Sequence, residues 1–212
     1  MRSNKTIHGA VITGDIVNST QLLPKQEKAL FERLISSYLV AHPYEFYRGD
    51  SFQVFIDKTE RALLLALACR ALAIGFIEDA APIFDIRVSI GIGKVNVPVV
   101  NLGMSKGEAF VLSGRKLDTL KEEGRRLAIV SGDHKADIGF DILSNYIDSI
   151  FKKMTPRQAD VIVELLNGVS QQELAGTLNK SKSTISELAA AGRWPEIERL
   201  LQQYEELVKL IA

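Results

Sequence analysis

The sequence predicts an α+β protein, an antiparallel sheet with helices followed by a small all-helical domain. Strand-like and helix-like runs alternate over the first two thirds of the chain, whereas from about Asp137 the strands cease and everything after Met154 reads as helical. The length of 212 residues also exceeds one average domain without reaching two large ones. These observations divide the chain into residues 1–150 and 151–212, with the boundary falling between Asn145 and Thr155.

The elements follow from composition and spacing. Residues 7–16 are apolar and β-branched on both parities, as in a strand covered on both faces. A helix is predicted from Pro24 to Val40, with Leu30, Phe31, Leu34, Ile35 and Tyr38 at helical spacing. In "EFYRGDSFQVFI" two short strands flank a turn at Gly49 and Asp50, and Phe52, Val54 and Ile56 alternate with Gln53, Phe55 and Asp57. An Ala/Leu-rich helix from Lys58 to Asp79 comes next, closed by Pro82. "FDIRVSIGIGKV" is a strand whose glycines imply close backbone packing. A loop over Pro98 to Met104 leads to the helix "GEAFVLSGRKLDTLKEEG", and "RRLAIVSG" is a last strand.

A strand, a helix, a hairpin, a helix and a further strand make the ferredoxin-like split βαβ order. In that topology the first strand is central and lies beside the hairpin, so Asp15, where "VITGDIVNST" turns polar, approaches Asp50 in the hairpin turn. Two converging carboxylates suit Mg²⁺ or Mn²⁺ together with phosphate oxygens. The backbone at Ile16 and Val17 and the hydroxyls of Ser19 and Thr20, at an expected helix entry, would add donors for phosphate. The plainer alternative for each residue is a turn former or a helix cap.

Bulk properties leave this site as a local feature. The charges balance at 26 basic and 26 acidic residues, so nothing global signals nucleic acid or a membrane, and 46% hydrophobic residues suffice for an ordinary core. Cys69 is the single cysteine, expected as a buried thiol, which fits a reducing compartment. The run "ALLLALACRALAIGF" is interrupted by Arg70 and is shorter than the roughly 20 residues a bilayer needs. The apolar stretch before Asp15 is too short for a signal peptide, and a cytoplasmic protein is expected. His8, His42 and His134 share no metal-ligand spacing, and no nucleophilic-hydrolase or P-loop motif occurs.

The blocks "ITGDIVNST", "RGDSFQVFI", "RVSIGIGKV" and "GEAFVLSGRKL" resemble, in order and spacing, the class III nucleotidyl cyclase domain, and the chain is similar to the SatD family of small bacterial cyclase-like proteins over residues 7–132. The resemblance implies a cyclase palm in which Asp15 and Asp50 hold the metal and the Ile16 carbonyl joins its shell. It also implies that Arg115 steadies phosphate charge in catalysis and that Glu108 reads the base. Two positions depart from the family pattern: Phe46 stands where cyclases place a base-selecting lysine, and Val111 where they place a ribose-orienting asparagine. Neither side chain can hydrogen-bond. The expectation is a nucleotide-binding or metal-dependent phosphoryl site, not an efficient cyclase. Arg87 and Arg115 can equally be ion-pair residues.

The segment from Met154 to Trp194 has helix-turn-helix spacing. Thr155 and Pro156 open a first helix that Gly168 ends. "QQELAGTL" offers Leu174, Ala175 and Leu178 to the core, Asn179 takes a left-handed turn position, and "STISELAAA" buries Ile185 and Leu188. Residues 154–192 resemble LuxR-like regulators and sigma-factor region 4. The resemblance implies DNA contacts by Lys182, Ser183, Thr184, Ser186 and Glu187, with Lys180 and Ser181 on the backbone and Arg157 and Gln158 adding phosphate contacts. The alternative is a small interaction domain, and the mixture of Glu173 and Glu187 with Lys180 and Lys182 supports it. In the last stretch Ile197, Leu200, Leu201, Tyr204, Leu207 and Leu210 share one side, for core packing or for a partner helix. The function expected is transcriptional regulation by a nucleotide-sensing homodimer, with a metal-dependent nucleotidyl cyclase or related phosphoryl-transfer enzyme as the alternative.

Overall fold

The computed structural model describes residues 5–47, 49–77 and 84–211, so Arg48 and the helix breaker Pro82 lie outside the described residues. Strand β1 (Lys5–Val17) is followed by α1 (Pro24–Leu34), the hairpin β2 (Tyr44–Tyr47) and β3 (Ser51–Ile56), and α2 (Ala62–Gly75). Then come β4 (Asp85–Val97), α3 (Glu108–Leu120) and β5 (Leu127–Val130). The sheet order is β2-β3-β1-β4-β5, antiparallel except for the β4–β5 pair, which α3 joins in parallel. The first four strands have the predicted split βαβ order, with β1 central.

Because side chains alternate along a strand, the register assigns β1 to two cores. Ala10, Ile12 and Ile16 lie opposite Ile92, Ile90 and Ile86 and pack with α1 and α2. Val11 faces the other way with Phe55, Val95, Ala109 and Phe110, under α3. Helix α3 can lie close on β4 because Gly91 has no side chain: a Cβ there would come within 2.6 Å of the Ser113 amide. The hairpin turn holds Gly49 at φ 87°, a conformation that favours glycine. Helix α1 is shorter than the helix expected to Val40, since Ile35–Leu39 widens into a π-helical turn.

The remaining helices are α4 (His134–Phe151), α5 (Pro156–Leu166), α6 (Gln171–Thr177), α7 (Lys182–Ala191) and α8 (Trp194–Lys209). Local signals start them. Asp133 caps α4 by accepting from the Lys135 and Ala136 amides, and reciprocal capping boxes open α5 (Thr155 and Gln158) and α6 (Ser170 and Glu173). Asn179 takes the left-handed turn between α6 and α7 at φ 49°. Leu174, Ala175 and Ile185 are buried as expected, but Leu178 is 37% exposed because α6 ends one residue before it.

These helices do not stand apart. Ala159, Ile162, Ile185, Ile197 and Tyr204 belong to the same hydrophobic cluster as the sheet and α2, and the buried Tyr204 hydroxyl donates to the Thr59 carbonyl at 2.7 Å. A buried ion network adds to the junction. Arg70 of α2, fully shielded, donates from Nε and Nη2 to Asp85 of β4 at 3.0 and 2.7 Å, and its Nη1 pairs with Asp148 of α4 at 3.1 Å. Its guanidinium also lies 4.9 Å over the Phe151 ring. Cys69 is buried, and burial pushes its thiol up to about 12. Among the described residues no helix is long and apolar enough to cross a membrane.

Removing one member of a buried ion pair strands the other charge, at a cost of about 3–5 kcal/mol. Arg70→Ala is therefore expected to lower the free energy of urea unfolding by about that amount. Because one core spans the sheet and the C-terminal helices, Trp194 fluorescence and far-UV circular dichroism of the native protein should report a single coincident transition.

Candidate functional site

The sheet face under α3 changes character along β1. The row Phe55, Val11 and Gly91 is apolar; the next, Gln53, Thr13 and Ser89, is polar; and the last, Ser51, Asp15 and Arg87, is charged. In the polar row Tyr47 Oη donates to Gln53 Oε1 at 2.9 Å, Gln53 Nε2 donates to Thr13 Oγ1 at 3.0 Å, and Thr13 and Ser113 share a 2.9 Å hydroxyl contact. This relay ties β2, β3, β1 and α3 together directly behind the charged row.

Asp15 and Asp50 are brought together as expected. Asp15 stands opposite Ser51, and the Ile16 amide donates to the Asp50 carbonyl at 3.2 Å. Both Asp15 carboxylate oxygens accept from Arg87 Nη1, at 2.9 and 2.8 Å. Burial pushes the Asp15 carboxyl above the usual aspartate range; Arg87 opposes that shift, the Asp50 charge adds to it, and Lys121 at the end of α3 opposes it. Arg87 Nε is shielded and has no partner among the described residues.

Several expected roles change. Ser19 does not offer its hydroxyl to a phosphate: it donates to Asp50 Oδ2 at 2.7 Å, while Ser51 donates to Oδ1 at 3.3 Å. The expected helix entry is a three-residue 3-10 turn, Ser19–Gln21, entered through a left-handed Asn18, and α1 begins only at Pro24. The long helix α1 therefore does not begin at the end of β1. Val17 ends β1 half-buried, and Thr20 is exposed in the short turn. Glu108 sits at the far end of the face, where its carboxylate accepts from the Lys94 amide at 3.3 Å. Lys94 lies opposite His8, about 23 Å along β1 from Asp15. Arg115 is exposed on α3, and the cation of that helix acting on Asp15 is Lys121. Within one chain, Glu108 is not gathered at the acid pair.

Phe46 packs edge-on to Phe31 at 5.0 Å and beside Tyr44 and Phe52, partly buried against the core on the opposite face of the hairpin. Val111 is 48% exposed. On α7 Lys182, Ser183, Thr184, Ser186 and Glu187 are exposed, as are Lys180 and Ser181 before it. Ser181 caps α7 by accepting from the Thr184 amide at 3.0 Å, and Ser183 donates to Glu187 at 2.9 Å. Gln158 is occupied in its capping box, and Arg157 is exposed.

The donor set at Asp15 and Asp50 fits a hard cation that arrives with phosphate oxygens, since Mg²⁺ needs only one or two protein carboxylates in such sites. It does not make a free-standing metal centre. No group of three or more His, Cys, Asp or Glu able to hold a metal occurs among the described residues, and Asp15 is already paired.

The sequence matches no protein-family model and no curated protein. Among solved structures it is similar to the catalytic core of a rhodopsin-guanylyl cyclase with converted specificity in complex with ATPalphaS, at 19% identity over 55% of this chain and 75% of that one, with a TM-score of 0.42. A monomeric guanylyl cyclase domain of the RhoGC fusion protein from the aquatic fungus Blastocladiella emersonii gives 18% identity over 55% and 78%, also at 0.42. The active GGEEF domain of a diguanylate cyclase from Vibrio cholerae gives 18% identity over 58% and 82%, at 0.38.

Arg87 is the main cation holding the Asp15 carboxyl down. Arg87→Met is expected to move the Asp15 titration midpoint further upward, read from the side-chain carboxyl carbon shift in a pH series by NMR.

Proposed function

We propose that this chain binds a nucleoside triphosphate together with Mg²⁺ or Mn²⁺ at Asp15 and Asp50, as a member of the nucleotidyl cyclase or related phosphoryl-transfer class. The observation that carries the reading is the charged row at the end of the central strand. Two acids from neighbouring elements meet there, beside an arginine whose Nε has no partner among the described residues. The four sequence blocks that resemble cyclases fall on β1, the β2–β3 hairpin, β4 and α3, and the acids they predict as metal ligands are the ones that meet.

In this reading Asp15 and Asp50 hold the cation, which supplies charge neutralisation for the phosphates. Arg87, released from Asp15, donates to phosphate oxygens, so cation and polyphosphate bind together more readily than the cation does alone. Ser19 and Ser51 fix the Asp50 carboxylate in place. Base and ribose reading is the weak half of the site: Phe46 is packed against the core, and Val111 offers no hydrogen bond. Glu108 would contribute only across a pairing of two chains.

A second reading is supported by the exposed α7 face and by the left-handed Asn179 turn that orients it. There Lys180, Lys182 and their neighbours contact DNA, and the phosphate site biases that contact.

A thermal upshift of the native protein with Mn²⁺ and ATP or GTP, lost in Asp15→Asn and in Asp50→Asn, is the expected result. No nucleotide-dependent shift in the native protein would sink the nucleotide reading. Chromatography after incubation should show little cyclic product, since lost base and ribose contacts cost orders of magnitude in turnover. For the second reading, Lys182→Ala should weaken retention on DNA from the protein's own genomic neighbourhood and reduce its salt dependence.

A further inference from the structure

Helices α4 and α8 pack side by side and leave an apolar groove of about 720 Å³ between them, lined centrally by Ile142, Leu143, Tyr146, Leu207 and Leu210. The α4 side is unusually apolar for a surface. Ile138, Ile142 and Tyr146, one helical turn apart, are 54%, 67% and 40% exposed, and Leu210 at the end of α8 is 78% exposed. The groove lies on the C-terminal helices, away from the charged row of the sheet, and none of the roles above uses it. A contiguous exposed apolar surface of this kind marks an interaction site.

The rim of the groove identifies the occupant. Along α8 four charged residues on the groove side are placed symmetrically about the midpoint between Gln202 and Gln203: Arg199 stands as far before it as Glu206 stands after it, and Glu196 as far before it as Lys209 after it. When two copies of α8 run antiparallel about a two-fold axis at that midpoint, Arg199 of each meets Glu206 of the other and Glu196 meets Lys209. Each opposite pair is made twice, and the two glutamines lie across from each other. A two-fold interface must be self-complementary in this way, because one patch meets its own copy.

The single chain leaves the pattern half used. Glu206 pairs with Lys209 at 2.7 Å and Glu196 with Arg193 at 3.0 Å, whereas Arg199 has no ion-pair partner among the described residues. We propose that the α4–α8 groove is the interface through which this chain binds a second copy of itself, the apolar strips of the two grooves facing each other inside a rim of reciprocal Arg199–Glu206 contacts.

The test is sedimentation equilibrium of the full chain over a concentration series. The native protein is expected to form a reversible dimer. Ile142→Asp places a charge in the strip and should weaken self-association at least tenfold, with the far-UV spectrum unchanged, and the melting temperature unchanged at concentrations where both proteins are monomeric, because the side chain is exposed in the single chain. Arg199→Glu sets like charges opposite each other and should also weaken it. The double variant Arg199→Glu with Glu206→Arg rebuilds the pairs in reversed order and should restore it. A native protein that is monomeric throughout, a dimer indifferent to Ile142→Asp, or a double variant no better than Arg199→Glu would each overturn the assignment.

Discussion

Arg70 carries a guanidinium into the interior of the protein, where a lone charge could not persist, and the surrounding structure is arranged around meeting it. Asp85 takes two of its donors at the first residue of β4, and Asp148 faces it from α4. The acids are held in turn: Asp85 also accepts from Arg126 and from its own strand at Ile86, and Asp148 accepts from the Arg126 amide and pairs with Lys152. One cation thus sets α2, β4, the approach to β5 and α4 at fixed distances from one another. The start of β4 fixed in this way sits two residues from Arg87, so the same cluster steadies the strand that presents the candidate site.

The fold was largely legible because its signals are local or periodic. Alternation in β3, the two-sided apolar run of β1 and the capping residues at Thr155 and Ser170 each declare an element without reference to the rest of the chain. The meeting of Asp15 and Asp50 was legible too, since strand order alone brings the hairpin turn to the end of β1. What could not be read were pairings that depend on register. Arg87 is recognisable as the partner of Asp15 only once β1 and β4 are aligned, and a slip of one residue would turn it to the other face. Ser19 looked like a free donor because nothing in its neighbourhood shows that Asp50 would claim it.

The C-terminal helices show the limit of reading a module from its motif. The spacing of Leu174, Ala175, Asn179 and Ile185 yields the expected helix, turn and helix, yet the same segment is built into the larger core through Ala159, Ile162 and Tyr204. A motif fixes how neighbouring helices meet. It carries no information about the surface on which they come to rest, because that depends on the far side of α5 and on what α2 leaves uncovered.

The central position of β1 has a consequence for how the chain is made. It leaves the ribosome before the strands it pairs with, with apolar side chains on both faces, and its partners are β3 and then β4, whose last paired residue is Val97. Until those residues emerge, a strand of strong β character has unsatisfied edges on both sides and no core to enter, the condition under which nascent chains associate with one another. The helices from α4 onward carry their own start signals and find neighbours close in sequence. A strand made ahead of both its neighbours therefore waits until Val97 has emerged before its two edges are paired, while the helices from α4 onward have no such wait.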